Sequence, residues 1–291
     1  MADATTGGCD LHIHSEYSDG SCSPAEIVER AVQANLEAIA LTDHDTVDGV
    51  EPFMNAARDA PLEPVPGVEL SCHTKSGRYH VLGYFIDWEN SVLVKKLKYY
   101  EEARADRVRG MVDVLNDISD MKFTFEEIAE RAGQSLIGKP HVAQVMVDRG
   151  FVDNVTQAFE EYLASGNVLD EVPKERMGVS EAIQLIDEVG GIPILAHPVH
   201  YEEDLDLQRF KQLGIEGLEV FYSDHDSSNV EYYREKADQF DWLITGGSDF
   251  HGDVKPTVNL GDVRMPLTHL DSLRTYCRQT GARHDLYSLD R

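Results

Sequence analysis

His12 and His14 flank a single isoleucine in the stretch CDLHIHSEYSDGSC, Cys9 to Cys22. In an extended chain, residues i and i+2 project to the same face. Two imidazoles side by side fill a core poorly and hold one cation well. Two hydrogen-bonded histidines at a strand end are the plainer alternative, and the rest of the chain favours the first reading. LTDHDT places His44 between Asp43 and Asp45, PGVEL supplies Glu69, RYHVLG supplies His80, LAHP supplies His197, and GSDFHG supplies Asp249 and His251. With Asp19 from the opening loop there are nine candidate ligands: His12, His14, Asp19, His44, Glu69, His80, His197, Asp249 and His251. Nitrogen and oxygen donors without thiolate suit manganese, zinc or iron rather than calcium or copper(I). Nine donors exceed the needs of one ion and suit two or three divalent ions sharing a bridging carboxylate or hydroxide. Such clusters activate water and stabilise in-line displacement at phosphorus.

A set this dispersed along the chain needs a scaffold that delivers many strand ends to one rim. DLHIH reads as a strand, followed by a helix from Pro24 with Ser23 as N-cap and Glu26 completing a capping box. Ile27, Val28, Ala31 and Val32 form its apolar face. LEAIALTDHD, PVPGVELSCH, RYHVLGYFID, IPILAHP, GIEGLEVFYS and WLITGGSDFH read as further strands, the third and fourth of the series joined by a Lys-Ser-Gly turn. Helices separate most of them, which predicts an α/β architecture with a parallel sheet of about seven strands. Every strand except LEVFY carries an acid or imidazole near the expected rim, where barrel sites are built. Residues 93–177 contain no strand pattern and read as an all-helical insertion between barrel segments 1–92 and 178–291. Thr124 and Glu127 form a second capping box there.

Composition narrows the function. The charge is −27, with 53 acidic against 26 basic residues. Long nucleic acid is therefore a poor partner, whereas a small anion can bind where cations invert the local field. No apolar run is long enough to span a membrane. MADATTGGCD lacks the basic and apolar regions of a secretory leader, which points to the cytoplasm. Cys9, Cys22, Cys72 and Cys277 form no C-x-x-C pair and read as reduced, packed thiols. His73, His225, His269 and His284 read as surface or supporting residues. His225, just past a strand end in FYSDHD, is also the candidate proton donor to a leaving group. Ser15 and Ser248 adjoin ligands and read as hydrogen-bond partners rather than nucleophiles; Ser15 is in addition a candidate substrate contact.

The ordered series His-x-His, Asp19, TDHD, GVE, His80, AHP and SDFH resembles the PHP (polymerase and histidinol phosphatase) family. The resemblance covers the barrel on both sides of the insertion and implies a distorted (β/α)7 TIM-like barrel with a trinuclear metal site. It implies one ion on His12, His14, Glu69 and Asp249, a second on Glu69, His80 and His197, and a third on Asp19, His44 and His251. Asp249 is then a catalytic carboxylate as well as a ligand. The length and the insertion most resemble small stand-alone bacterial enzymes. Those release phosphate from nucleoside 3′,5′-bisphosphates or trim short 5′-phosphorylated RNA. The resemblance therefore implies a phosphoesterase for a small nucleotide. A non-nucleotide phosphatase and a non-catalytic nucleotide-sensing module are the alternatives. Two segments depart from the family pattern. GKPHVA places Lys139 where those enzymes carry arginine and keeps His141, and AHPVHY places His200 where arginine is common. Lys139, His141 and His200 are the implied phosphate contacts, with lysine offering a point charge in place of a two-pronged guanidinium.

Overall fold

The computed structural model describes residues 7–74, 77–120, 122–133, 135–201 and 205–280. His284, and Lys75 and Ser76 of the expected turn, lie outside the described residues. The elements run β1 (Cys9–Asp10), α1 (Pro24–Gln33), β2 (Ala38–Leu41), α2 (Val50–Ala57), β3 (Glu63–Thr74), β4 (Gly77–Tyr84), α3 (Ser91–Ile118), α4 (Phe125–Ala132), α5 (Lys139–Asp148), α6 (Val155–Ala158), β5 (Met177–Gly178), α7 (Val179–Glu188), β6 (Ile192–Leu195), α8 (Leu207–Leu213), β7 (Gly217–Tyr222), α9 (Ser227–Phe240), β8 (Leu243–Gly247) and α10 (Leu267–Thr280). Chain contacts divide these into two units, residues 1–95 with 177–291, and residues 96–176.

In the first unit the strands lie in the order β1-β2-β3-β4-β6-β7-β8, with β5 paired to β3. The Leu11 amide donates to Gly246 O at 3.1 Å and the Asp249 amide to His12 O at 2.9 Å, joining the two ends of the sheet into a nearly closed barrel. One expectation is corrected here. The sheet is not wholly parallel, because β4 is antiparallel to both β3 and β6. The chain returns directly from β3 into β4, and a direct return forces antiparallel pairing. Strand alternation sets the packing: Ala38 and Ala40 enter one apolar cluster, Ile39 and Leu41 the other, which α1 and α2 cover through Ile27, Val28 and Phe53. The Ser23–Glu26 capping box is present, with Pro24 at the first turn. Helices α8 and α10 lacked a recognised sequence signal; Leu270, Leu273 and Cys277 bury one stripe of α10.

Two glycines bring the backbone close to the ligand run. A Cβ on Gly247 would lie 2.3 Å from His12 N, and one on Gly20 would lie 2.4 Å from His14 O. No side chain fits at either place.

The second unit is helical and has its own core, including Met111, Leu115, Ile128, Val142, Met146 and Leu163. Helix α4 opens on the Thr124–Glu127 capping box. The single turn α6 passes into a π-helical turn at Phe159–Leu163 instead of continuing as the α-helix that NVTQAFEEYLASG suggests. Among the described residues no helix is long and apolar enough to cross a membrane.

Candidate metal centre

Glu69, on β3, is the centre of the site. It is buried and its two oxygens face different partners. Oε2 lies 2.9 Å from His12 Nε2, 3.1 Å from His14 Nε2 and 3.4 Å from His44 Nδ1. Oε1 lies 2.8 Å from His80 Nδ1 and 3.0 Å from His197 Nε2. One carboxylate thus addresses two groups of imidazoles, as a bridging ligand does. Asp249 Oδ1 lies 3.2 Å from His14 Nε2 and 3.5 Å from both His12 Nε2 and His251 Nδ1. Asp19, 52 % exposed at its side chain, reaches His251 Nε2 at 3.2 Å.

Three sets have donor atoms mutually within 4.8 Å: His12, His14, Glu69 and Asp249; His14, Asp19, His44 and His251; and His44, Glu69 and His80. His197 joins the last through His80 Nδ1, 3.1 Å from its Nε2. All nine residues expected as ligands therefore meet at one rim. The donor set fits cations on a further observation. Both nitrogens of His14, Nδ1 of His44 and Nδ1 of His197 are buried without a hydrogen bond. The His14 nitrogens sit near carboxylates but are not aligned to bond them, which suits atoms directed at a shared centre.

The electrostatics agree. Although burial works against ionisation, the surrounding imidazoles hold Glu69 and Asp249 well below the usual carboxylate range. Burial likewise opposes a charge on His14, but the Asp249 and Glu69 carboxylates push it up to about 10. Burial carries His44 the other way, down to about 4. An anionic set of this kind recruits positive charge, whether as protons or as divalent ions.

An outer layer holds these ligands. Glu219, fully buried on β7, accepts from His12 Nδ1 at 2.8 Å through Oε1 and from the His197 amide at 2.6 Å through Oε2. This commits the His12 Nδ1 proton and leaves Nε2 for the centre. Asp43 takes the hydroxyls of Ser15 and Ser18 at 2.6 and 2.5 Å. Asp10 takes the Ser248 hydroxyl at 2.6 Å. Tyr222 donates to Asp249 Oδ2 at 2.9 Å. The sequence reading passed over β7 as a strand without a ligand, and so missed Glu219 and Tyr222. They are three residues apart, which in a regular strand would set them on opposite faces. An irregularity between Glu219 and Phe221 inserts one residue and brings both to the site. An acid inside an apolar run was the available signal for Glu219.

Strain also concentrates here. Of six non-glycine residues with positive φ among the described residues, Asp45, His197 and Asp249 lie in or beside the ligand set.

A cavity of about 660 Å³ opens over the centre; its wall includes Arg78, His200, Tyr201, Tyr222 and Lys255. His200 is thus where a substrate contact would be, its Nε2 3.0 Å from Tyr222 Oη. Ser15 is different from what its position in the sequence suggested. It is fully buried with its hydroxyl on Asp43, so it supports a loop and has no surface for substrate. His225 does not line this cavity. Its Nδ1 is hydrogen-bonded to Val220 O at 2.8 Å, its ring stacks on Tyr233, and burial lowers its pKa. In the helical unit, Lys139 Nζ donates to Asp170 Oδ1 and to Leu163 O, both at 2.5 Å. It would have to leave Asp170 to meet a phosphate. His141 Nδ1 accepts from the Gly138 amide, so its proton is on Nε2.

Six imidazoles and three carboxylates on a barrel rim define a metal-dependent hydrolase. The PHP domain matches residues 10–164. Over 247 residues the chain is 31% identical to a 5′-3′ exoribonuclease of Haemophilus influenzae, covering 83% of this chain and 89% of that one. It is 29% identical over 276 residues to a 3′,5′-nucleoside bisphosphate phosphatase of Chromobacterium violaceum, covering 92% and 93%. Its structure superposes with a TM-score of 0.78, at 26% identity and over 93% and 96% of the two chains, on a Bifidobacterium adolescentis protein assigned as a metal-dependent phosphoesterase. The chain belongs to the PHP family, and its reaction class is phosphate-ester hydrolysis.

Proposed function

We propose that the chain hydrolyses a phosphate ester of a small nucleotide: a nucleoside 3′,5′-bisphosphate, an AMP-like nucleotide or a short 5′-phosphorylated oligonucleotide. The observation that carries this reading is the convergence of nine imidazole and carboxylate side chains beneath one cavity of about 660 Å³. The names of two relatives support it, a 3′,5′-nucleoside bisphosphate phosphatase in Chromobacterium and a 5′-3′ exoribonuclease in Haemophilus.

Two or three divalent ions, manganese, zinc or iron, would be held by His12, His14, Glu69 and Asp249, by Glu69, His80 and His197, and by Asp19, His44 and His251. When bound, such ions supply an activated water and offset charge on the phosphoryl oxygens. The chain's own residues do the rest. Glu219 orients His12, and Glu69 spans two ligand groups. Arg78, His200 and Lys255 offer donors along the cavity wall to an anionic substrate. His225 lies outside that wall, so proton delivery to the leaving group is not assigned to it. The four buried, free cysteines and the charge of −27 fit a cytoplasmic enzyme of small anions better than one of long RNA.

The test is phosphate release by manganese-loaded protein from adenosine 3′,5′-bisphosphate, AMP and histidinol phosphate, with a chelated control. Cleavage of the nucleotides, lost with chelator and in His12→Ala or Asp249→Ala, is the expected result. Cleavage of histidinol phosphate alone would make the substrate a non-nucleotide metabolite. Full activity of either variant after reloading would refute the metal-centred reading.

A further inference from the structure

Asp249 uses its two oxygens differently. Oδ1 faces the imidazoles of His12, His14 and His251 at 3.2 to 3.5 Å. Oδ2 takes two donors from outside the ligand set, Tyr222 Oη at 2.9 Å and Lys255 Nζ at 2.9 Å. The donors are themselves held. Tyr222 is buried, and the Lys255 ammonium lies 5.7 Å from the centre of the Tyr222 ring. Asp249 has φ of 56°, a backbone state that a non-glycine residue keeps only under external constraint.

We propose that Tyr222 and Lys255 are positioning residues for the metal centre, which clamp Oδ2 of Asp249 so that the carboxylate presents Oδ1 alone as a one-oxygen ligand. A free aspartate rotates about χ2 and can present both oxygens to one ion. Two donors on Oδ2 remove that option, because their hydrogen bonds hold the plane of the carboxylate in one orientation. Lys255 thereby has a task distinct from substrate binding, although a third of its side chain is exposed on the cavity wall. The inference rests on the metal-dependent reading of the site and not on the identity of the substrate.

Manganese titration by calorimetry, with metal content after gel filtration, needs no substrate. It would compare the wild type with Tyr222→Phe, Lys255→Met, the double variant and Lys255→Arg. Outer-layer contacts of this kind change metal affinity by about 10- to 100-fold when removed. Each single variant should weaken manganese binding by that order, the double variant by less than the product of the two because both act on one oxygen, and Lys255→Arg should restore it. In an Asp249→Asn background, Tyr222→Phe should have no further effect. Steady-state kinetics on adenosine 3′,5′-bisphosphate separate the roles: a clamp lowers kcat at saturating metal, whereas a substrate contact raises KM. Unchanged manganese affinity in Tyr222→Phe and Lys255→Met overturns the proposal, as does a rise in KM alone. An inactive wild type that binds manganese normally would refute the substrate reading and leave the clamp to be decided by the titrations.

Discussion

Glu219 connects two rim histidines, His12 and His197, that are far apart in the chain. It fixes the tautomer of His12 with one oxygen and the backbone of His197 with the other. Replacing it with glutamine puts an NH2 group against one of these two donors, and a buried donor left unpaired costs about 1–3 kcal/mol. Glu219→Gln should therefore lower thermal stability and reduce metal affinity by about 10- to 100-fold, read from melting curves and metal titration. The nine side chains that meet at the rim were legible from sequence because imidazoles and carboxylates beside apolar runs are conspicuous, and because strand ends converge in a barrel. Glu219 and Tyr222 were not, since an inserted residue in β7 resets the alternation from which inward-facing positions are read. Ser15 illustrates the opposite limit. Adjacency to His14 in sequence suggested a substrate contact, but its hydroxyl is committed to Asp43.

At the level of elements, capping boxes gave two helix starts because the cap is a local hydrogen-bond pattern. The reversed direction of β4 was less visible in single segments, since pairing direction depends on connections. The helical unit holds an ion cluster whose charge has a structural use. Asp170 accepts from Lys139 Nζ at 2.5 Å and Arg107 Nη2 at 3.1 Å. The Lys139 hydrogen bond is the main cause lowering the Asp170 pKa, with Arg107 adding to it against a smaller burial effect. A carboxylate whose folded pKa is depressed contributes stability above its unfolded pKa of about 3.9, and loses it as pH falls through the folded value. Asp170→Asn should therefore be less stable than the wild type at pH 7, by about 2 kcal/mol for hydrogen bonds to charged groups. The gap should close as the pH drops below about 4. Melting temperatures of both proteins across that range check the sign; a gap that widens in acid would contradict it.

For the whole molecule the dominant quantity is a charge of −27. Self-repulsion on this scale destabilises the compact state, and salt shortens its reach from about 30 Å at 0.01 M to about 3 Å at 1 M. The melting temperature should rise as potassium chloride increases over that interval with the metal load held constant. A flat or falling trend would mean that local ion pairs outweigh the net repulsion.

The backbone at Asp249 and His197 also bears on how this protein could be altered. Both residues have positive φ, 56° and 25°, where glycine is at ease and other side chains lose about 1–3 kcal/mol. A library of variants sorted only for heat resistance would be drawn towards glycine at these two positions. Its hardiest survivors would be sturdy barrels without two of the nine side chains proposed to hold metal, so heat resistance and catalysis have to be selected together in this chain.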